Sequence, residues 1–593
     1  MDMEKPLTHG TGERLRARAR GMENLEALLG DPGDPGNSLG FVQALLRDQQ
    51  GTFPEEARRA LLGHRLHLAC WPRELGGELS DFELALDTVR LVARRDLNLM
   101  SATLMSISAA TAVLVHGSPE QRQQMAEWLE GGTEIGFALS EEACGSDVLG
   151  LQTTLARNET GYRLSGRKWL VGNALRAGAF FIIARTGVAG PGAFSSVLVR
   201  REEIPENALV FDGPVPTTGM RGIGFVNLQF LDLPVSRNSL VGKEGRGLET
   251  ALKAQQVVRL MSVAGNLGCA DAGLRAALGF ACDRTAQGVR LVEMPALRAR
   301  LAPAFAELLV LDLVARATAR AIHFFPKDFS PYSNLIKWLA TELSEGLLER
   351  CARTVGARSI LLSDRWGGVL EKAKRDNQVI RFIDTGTFGV LKAIAAHLQS
   401  LAFFEPEAPD RDALDALFDL ERAPPKFEPT ALDLFAKGRD LIFAAALRLL
   451  SDIAGQQPPE GRTAELIREV ARRARELLES VRRGRENSAG QDGTATLLAQ
   501  AETYCLLQAA TVCVLTWWHD RRREVSLLGE LPGSWLDACL AVLLARIDGS
   551  GTAPSDPALA DLFVSGLRQH QQNVLFSPLP VRLGPIASGT VAA

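Results

Sequence analysis

The chain is poor in the groups that most hydrolytic and metal-dependent chemistry requires. Its eight histidines include no H-E-x-x-H pair, and neither a G-x-S-x-G nor a G-x-x-x-x-G-K-S/T stretch occurs, which removes the zincin, hydrolase-elbow and P-loop readings. Its eight cysteines, at 70, 144, 269, 282, 351, 505, 513 and 539, form no C-x-x-C pair and have no histidine at zinc-ligand spacing. They read as reduced, mostly buried thiols, and no metal site is expected. An excess of one charge is also lacking: 66 Lys and Arg against 70 Asp and Glu leave a formal −4, so nothing draws the surface as a whole toward nucleic acid. The most basic segment, Arg468 to Arg485, interleaves Glu469, Glu476 and Glu479 at helical spacing, a self-paired face where DNA binding needs a one-sided stripe. No nucleic-acid partner is expected. Long apolar runs are missing too. The longest, Tyr504 to Trp518, falls short of the roughly twenty residues of a membrane-spanning helix and reads as a buried one. Met1 to Met22 is polar and basic without an apolar core, unlike a secretory signal, and a cytoplasmic location is the expectation.

What is present is enough apolar sequence for several cores. A chain of 593 residues, 46% hydrophobic and 23% charged, is expected to divide into domains. Residues 1–135 carry helical periodicity, as in Phe82, Leu86, Val89 and Ala93. Over 136–245 the period shortens to two, with strand candidates at Phe180 to Ala184, Ser196 to Val199 and Val226 to Phe230. Helical spacing returns over 246–404 in long Ala/Leu/Arg-rich stretches that suit a bundle. The proline-rich, acidic interval 405–429 reads as a surface linker, and 430–593 as a further all-helical domain with helices over 432–450, 463–481, 494–519 and 535–547.

Two stretches are specific. Phe137-Ala-Leu-Ser-Glu-Glu-Ala-Cys-Gly-Ser-Asp147 is followed by Leu164-Ser-Gly-Arg-Lys-Trp-Leu-Val-Gly-Asn173. Together they resemble the T/S-E-x-x-x-G-S-D loop and x-G-x-K-x-x-I-x-N strand of the acyl-CoA dehydrogenase flavoprotein family. The resemblance runs from about Pro54 to Leu401. It implies an α+β fold with a helical N-terminal domain, a middle β-barrel or sandwich domain and a helical bundle, here with an added C-terminal domain like that of the very-long-chain branch. It also implies FAD, an acyl-CoA or acyl-carrier-protein thioester as substrate, an electron-transfer partner or oxygen as acceptor, and a homodimer.

The same resemblance assigns residues. Phe137, Leu139, Ser140, Gly145 and Ser146 fall in the flavin loop, and Leu170 and Gly172 beside the flavin ring, where the family usually has Trp and then Thr or Ser. Trp169 stands one position early, and strand alternation sends it to the opposite face. Arg284 corresponds to the arginine that reaches the partner subunit's pyrophosphate, a role suited to its donor fork. Arg353 and Gly356 fall where the partner's adenosine is contacted, with only Gly356 kept. Cys144 reads as a packing residue.

The family's base is the glutamate of "I-Y-E-G-T", and here the text is Arg375-Asp-Asn-Gln-Val-Ile-Arg-Phe-Ile-Asp-Thr-Gly-Thr387. No glutamate is present, and the alternative position on the earlier helix is Val258, next to Arg259. Asp384 is the candidate base, with Arg259 beside it on the active-site floor and Thr387 at the flavin. Two other readings stay open: Asp384, Thr385 or Thr387 caps the helix that follows, and Arg259 is an ion-pair partner, for example of Glu249 on its own helix or of another domain. At the level of function, an acyl-thioester dehydrogenase forming an α,β-double bond competes with a catalytically inactive thioester- or partner-binding relative. A flavin oxidase or monooxygenase of the same fold is the third reading.

Overall fold

The computed structural model describes residues 12–104, 106–404, 411–456, 461–487, 494–550, 556–579 and 581–584. The α, β, α order expected from periodicity is present. In the N-terminal helical layer, the Phe82–Arg95 helix buries Phe82, Leu86, Val89 and Ala93 as its spacing requires. Its opposite, charged face is buried as well. Glu83, Asp87, Arg90 and Arg94 are paired there: Arg320 reaches Glu83 at 2.8 Å, Arg316 reaches Asp87 at 3.0 Å and Arg90 reaches Asp312 at 2.6 Å. This helix is thus a spine between two layers, its ion pairs fixing which residues of the bundle it meets.

The β layer is a mixed sheet of seven strands: β1 (Ile135–Ala138), β2 (Thr154–Arg157), β3 (Gly161–Val171), β4 (Ala179–Arg185), β5 (Phe194–Arg200), β6 (Leu209–Asp212) and β7 (Val226–Ser236). Their order is β1-β4-β2-β3-β7-β6, with β5 hydrogen-bonded to β4. The three strand candidates of the sequence lie inside β4, β5 and β7. Gly166, in β3, has φ +141°, and a side chain there would collide with Thr153 at 2.6 Å, so the strand's glycine is needed for close approach of its neighbour.

The bundle is built on the Gly247–Asp283 helix, 37 residues long and buried along most of its length. Around it stand the Pro295–Phe324, Phe329–Val355, Gly367–Ile380 and Thr387–Leu401 helices. The described part of the expected linker departs from expectation. Residues 411–429 include the Arg411–Phe418 helix, with Leu414, Leu417, Phe418, Leu420 and Phe427 buried. Arg320 clamps this segment by donating to the carbonyls of Leu417 at 2.6 Å, Ala416 at 2.7 Å and Arg422 at 2.8 Å. The Leu and Phe spacing, hidden among prolines and acids, outweighs the composition.

Beyond it stand the Leu441–Gln456, Gly461–Asn487, Thr494–Arg521 and Trp535–Ile547 helices, the first starting nine residues later than spacing indicates. Asp440 ends that delay by accepting from Phe443 N at 2.9 Å while Tyr332 and Tyr504 hydroxyls also donate to it, at 3.0 and 2.5 Å. A further helix, Pro557–Gln571, was not anticipated. Its signal was an Asp-Pro start, with the Asp556 carboxylate accepting from Ala558 N at 3.0 Å. Among the described residues Thr494–Arg521 is the one helix long and apolar enough to span a membrane, and its stretch from Tyr504 to Thr516 is buried within the protein.

Candidate active site

A cavity of about 780 Å³ opens where the sheet, the N-terminal helices and the bundle meet. One wall is the β1–β2 loop and the end of β3, which contribute Ser140, Gly145, Ser146, Leu170 and Gly172. The facing wall is the Gly247–Asp283 helix and the turn before Thr387–Leu401, which contribute Val258, Met261 and Asp384. Phe137 and Leu139 line it as well. The walls adjoin at Gly386, where a side-chain carbon would stand 3.9 Å from Ser146 Oγ.

The β wall is tied down from behind by two motif residues that sequence reading left without a role. Lys168, on β3, is fully buried and donates to Leu139 O at 2.9 Å and to Glu141 Oε1 at 2.8 Å. Glu141 also accepts from Gln152 N at 2.7 Å and Thr153 N at 3.1 Å. Burial works against both charges: it lowers the Lys168 ammonium, while at Glu141 it is outweighed by the lysine and the backbone donors, which hold the carboxyl below its ordinary range. The pair welds loop to strand.

The expected position of Trp169 is corrected here. β3 carries a bulge against β7 between Lys168 and Val171, and Leu170 has a left-handed φ of +51° with its N–H given to Asn227 Oδ1 at 3.1 Å. Strict alternation therefore fails over two residues, and Trp169 and Leu170 both line the cavity. A non-glycine residue held in this region stores strain that neighbours must maintain.

On the helical wall, Asp384 also has left-handed backbone, φ +68°, and its side chain is 2% exposed. Arg259 Nε donates to Asp384 Oδ2 at 2.5 Å, and the same guanidinium reaches Asn334 Oδ1 at 2.8 Å and Thr385 Oγ1 at 3.3 Å. Of the structural alternatives, the helix cap and the Glu249 partner are overturned, while Arg259 does form an ion pair with another segment of the chain. The Thr387–Leu401 helix is N-capped by Gly386 with no side-chain cap bond, so Asp384, Thr385 and Thr387 cap nothing. Arg259 leaves Glu249 to Arg246 and Lys253, because ten residues of helix, about 15 Å, separate it from Glu249.

Two functional candidates were missed by motif reading. Glu345 lines the cavity and pairs with Arg381, whose Nε donates at 2.8 Å and whose other nitrogens reach Glu342 at 2.9 Å and Thr387 Oγ1 at 3.0 Å. Lys337 is fully buried behind Asp384 and donates to the carbonyls of Ile380 and, at 3.0 Å, Ile383. Asn334, Lys337, Thr341 and Glu345 recur at spacings of three and four on one helix, so a single stripe supports the turn.

Thr387 lies behind the lining, held by Arg381. Arg284, Arg353 and Gly356 line no part of the cavity; they are exposed at one end of the bundle, where Arg365 joins Asp283 at 3.1 Å. Beside them Ile360, Leu361 and Leu362 are exposed, Ile360 by 76%.

A mixed sheet clasped between two helical layers, with a cofactor-sized cavity at the three-way junction, defines an architecture and comparisons with known proteins place it. Residues 136–233 match the family model described as "Acyl-CoA dehydrogenase, middle domain" and residues 245–398 that described as "Acyl-CoA dehydrogenase, C-terminal domain". Residues 136–233 and 245–398 thus carry the middle and C-terminal domains of an acyl-CoA dehydrogenase. It is 27% identical over 323 residues to the mitochondrial short-chain specific acyl-CoA dehydrogenase of Homo sapiens, covering 53% of this chain and 76% of that one. Among solved structures, butyryl-CoA dehydrogenase from Megasphaera elsdenii superposes with TM-score 0.58 at 18% identity, over 66% of this chain and 98% of that one. PigA with FAD and proline gives 0.59 at 18%, over 67% and 99%. At these identities the two structures establish the fold.

Proposed function

We propose that the protein is an FAD-dependent acyl-thioester oxidoreductase that introduces an α,β-double bond, with Asp384 as its base. One observation carries this reading: residues of two separate motifs, Ser140 and Ser146 of the flavin loop and Asp384 of the base segment, line the same cavity. Its volume of about 780 Å³ lies within the range of cofactor pockets. Gly145 supports the fit of a flat ring. Its φ is +54°, and no atom stands within 4 Å of where a side chain would begin, leaving space that a ligand can fill. Ser140 and Ser146 would hold the flavin's polar edge, and Leu170 and Gly172 would lie beside its ring. Arg284 and Arg353, exposed with the apolar Ile360 to Leu362, would reach a second copy's cofactor in a homodimer.

When bound, FAD supplies the acceptor for the β-hydride. The rest falls to this chain's own groups. Asp384 Oδ2 is engaged by Arg259, which leaves Oδ1 to take the α-proton. Asn334 and Thr385 fix the guanidinium, and through it the carboxylate. Met100, Leu104, Val258 and Met261 give the cavity a largely apolar lining that excludes water from the proton transfer. The carrier, coenzyme A or a carrier protein, delivers the thioester, and an electron-transfer partner or oxygen completes the turnover.

The Arg259–Asp384 pair also favours a second reading, a binding protein, since the aspartate's charge already has a partner. The space at Leu170 and Gly172 favours a third, an oxidase or monooxygenase. The deciding measurement is the visible spectrum of the purified protein, with and without a panel of acyl thioesters in the absence of oxygen. Bleaching of a bound flavin supports dehydrogenation, bleaching that reverses rapidly in air points to the oxidase, and a protein that stays colourless after incubation with FAD supports the binding role.

A further inference from the structure

Lys337 is a buried cation with an unusual set of partners. On the neighbouring Gly367–Ile380 helix the buried Lys372 stands between two carboxylates, at 2.9 Å from Asp96 and in contact with Asp376, and its charge is stabilised despite burial. Among the described residues Lys337 bonds no carboxylate. Its hydrogen bonds go to the carbonyls of Ile380, at the last turn of that helix, and Ile383, the residue before Asp384. The charged groups facing it are Asp384, which favours its charge, and Arg259 and Arg381, which oppose it. A helix end leaves carbonyls unbonded, and a lysine is a suitable donor to them. A neutral side chain could donate as well without the desolvation that a buried ammonium incurs. The placement therefore calls for an explanation beyond capping.

We infer that Lys337 is the positioning residue of the base turn: its ammonium draws the Ile380 and Ile383 carbonyls to one point, and so holds the left-handed turn that presents Asp384 to the cavity and to Arg259. The inference rests on the assignment of Asp384 as base. Three observations converge on it. The turn has no other described anchor between Ile380 and Asp384 that is both charged and fully buried. Asp384 has φ +68°, a conformation that a non-glycine residue keeps only when its surroundings enforce it. Asn334, one turn before Lys337, holds the arginine that engages the aspartate, so one helix fixes both sides of the carboxylate. Burial, with the two arginines, pushes the Lys337 ammonium down to about 8, so its hold on the turn is sensitive to moderately alkaline pH.

The test uses the full-length holoprotein and the variants Lys337→Met and Lys337→Gln. Amide hydrogen exchange over residues 380–386, read by mass spectrometry, is expected to quicken at least about tenfold in Lys337→Met, and less in Lys337→Gln, which keeps a donor. Anaerobic flavin bleaching by the best thioester is expected to slow about 10- to 100-fold, since small misplacement of a reacting group has effects of this size. Thioester affinity should stay within about twofold, because the lysine lies outside the lining. The wild-type rate should show an inflection near pH 8 that Lys337→Met lacks. Unchanged exchange, or an unchanged rate and pH profile, overturns the inference. If no thioester bleaches the wild type, the oxidoreductase reading fails by itself, and exchange still decides whether Lys337 holds the turn.

Discussion

On the β wall of the cavity, Lys168 meets Glu141 as a compact buried pair behind the flavin loop, whereas on the helical wall the buried Lys337 meets only carbonyls and Asp384 is shared with Arg259. The first wall keeps the family's motif almost intact and the second departs from it. Of the kept residues, Glu141, Gly166, Lys168, Arg375 and Asp376 turn out to be scaffold, whereas Ser140, Gly145 and Ser146 line the cavity. Arg375 pairs with Asp48 at 2.6 Å and donates to Thr218 O at 2.6 Å, and Asp376 accepts from Met220 N at 2.6 Å. The altered residues, Leu170, Gly172 and Asp384, face the cavity. The frame behind the cavity is retained while part of the surface that lines it is changed.

The comparison breaks most visibly at Asp384. Asp384→Asn keeps an acceptor for Arg259 and removes the base, so anaerobic flavin bleaching should fall about 10²- to 10⁴-fold with the flavin still bound. A variant that bleached at the wild-type rate would move the proton transfer elsewhere, with Glu345 the remaining carboxylate in the lining.

Lys168→Met tests the opposite wall. It leaves Glu141 buried without its cation, and removing one partner of such a pair costs about 3–5 kcal/mol. Urea unfolding should show that loss together with weakened flavin retention, and the double variant Lys168→Met/Glu141→Gln should recover part of it. Equal stability of the single variant would mean that water reaches the pair.

Much of this frame was legible. Ser140, Ser146 and Asp384 line one cavity, which the family resemblance implies and no local spacing could. The bulge at Leu170 was not legible, since alternation carries no mark of one extra residue, and it was the bulge that turned Trp169 into the cavity. Lys337 and Glu345 lie in no motif. They act across helices, through contacts 36 to 46 residues apart in sequence but adjacent in the bundle, and only their shared helical stripe hinted at a common role. The fate of 411–429 was hidden for a different reason: composition read as linker, while a few apolar side chains and Arg320 decided otherwise.

Lys337 also sets how pH should move stability. The folded chain gives up the Lys337 proton near pH 8, and the unfolded chain holds it to about 10.5. Between those values the unfolded state binds more protons, so this group makes the fold more stable as pH rises, by up to about 3 kcal/mol across the window. Below pH 8 both states carry the charge and the burial cost is complete. Unfolding midpoints compared at pH 7.5 and 10 should show wild type gaining stability relative to Lys337→Met as pH rises, and parallel curves would show that the ammonium is already solvated.

The smallest effect belongs to Gly145. Its left-handed φ of +54° strains any side chain, yet nothing stands within 4 Å of the added carbon. Gly145→Ala should therefore cost only about 1 kcal/mol of stability, by backbone conformation alone. If the flavin ring lies over this loop, the methyl group intrudes on space that the protein itself leaves free, and flavin affinity should fall by more than stability does. Titration of the apoprotein with FAD, set beside thermal unfolding of the same apoprotein, separates the two: a loss confined to FAD binding assigns the open space at Gly145 to the ligand, and a loss confined to stability assigns the glycine to the turn. That outcome decides whether the retained β wall is kept for its fold or for what it holds.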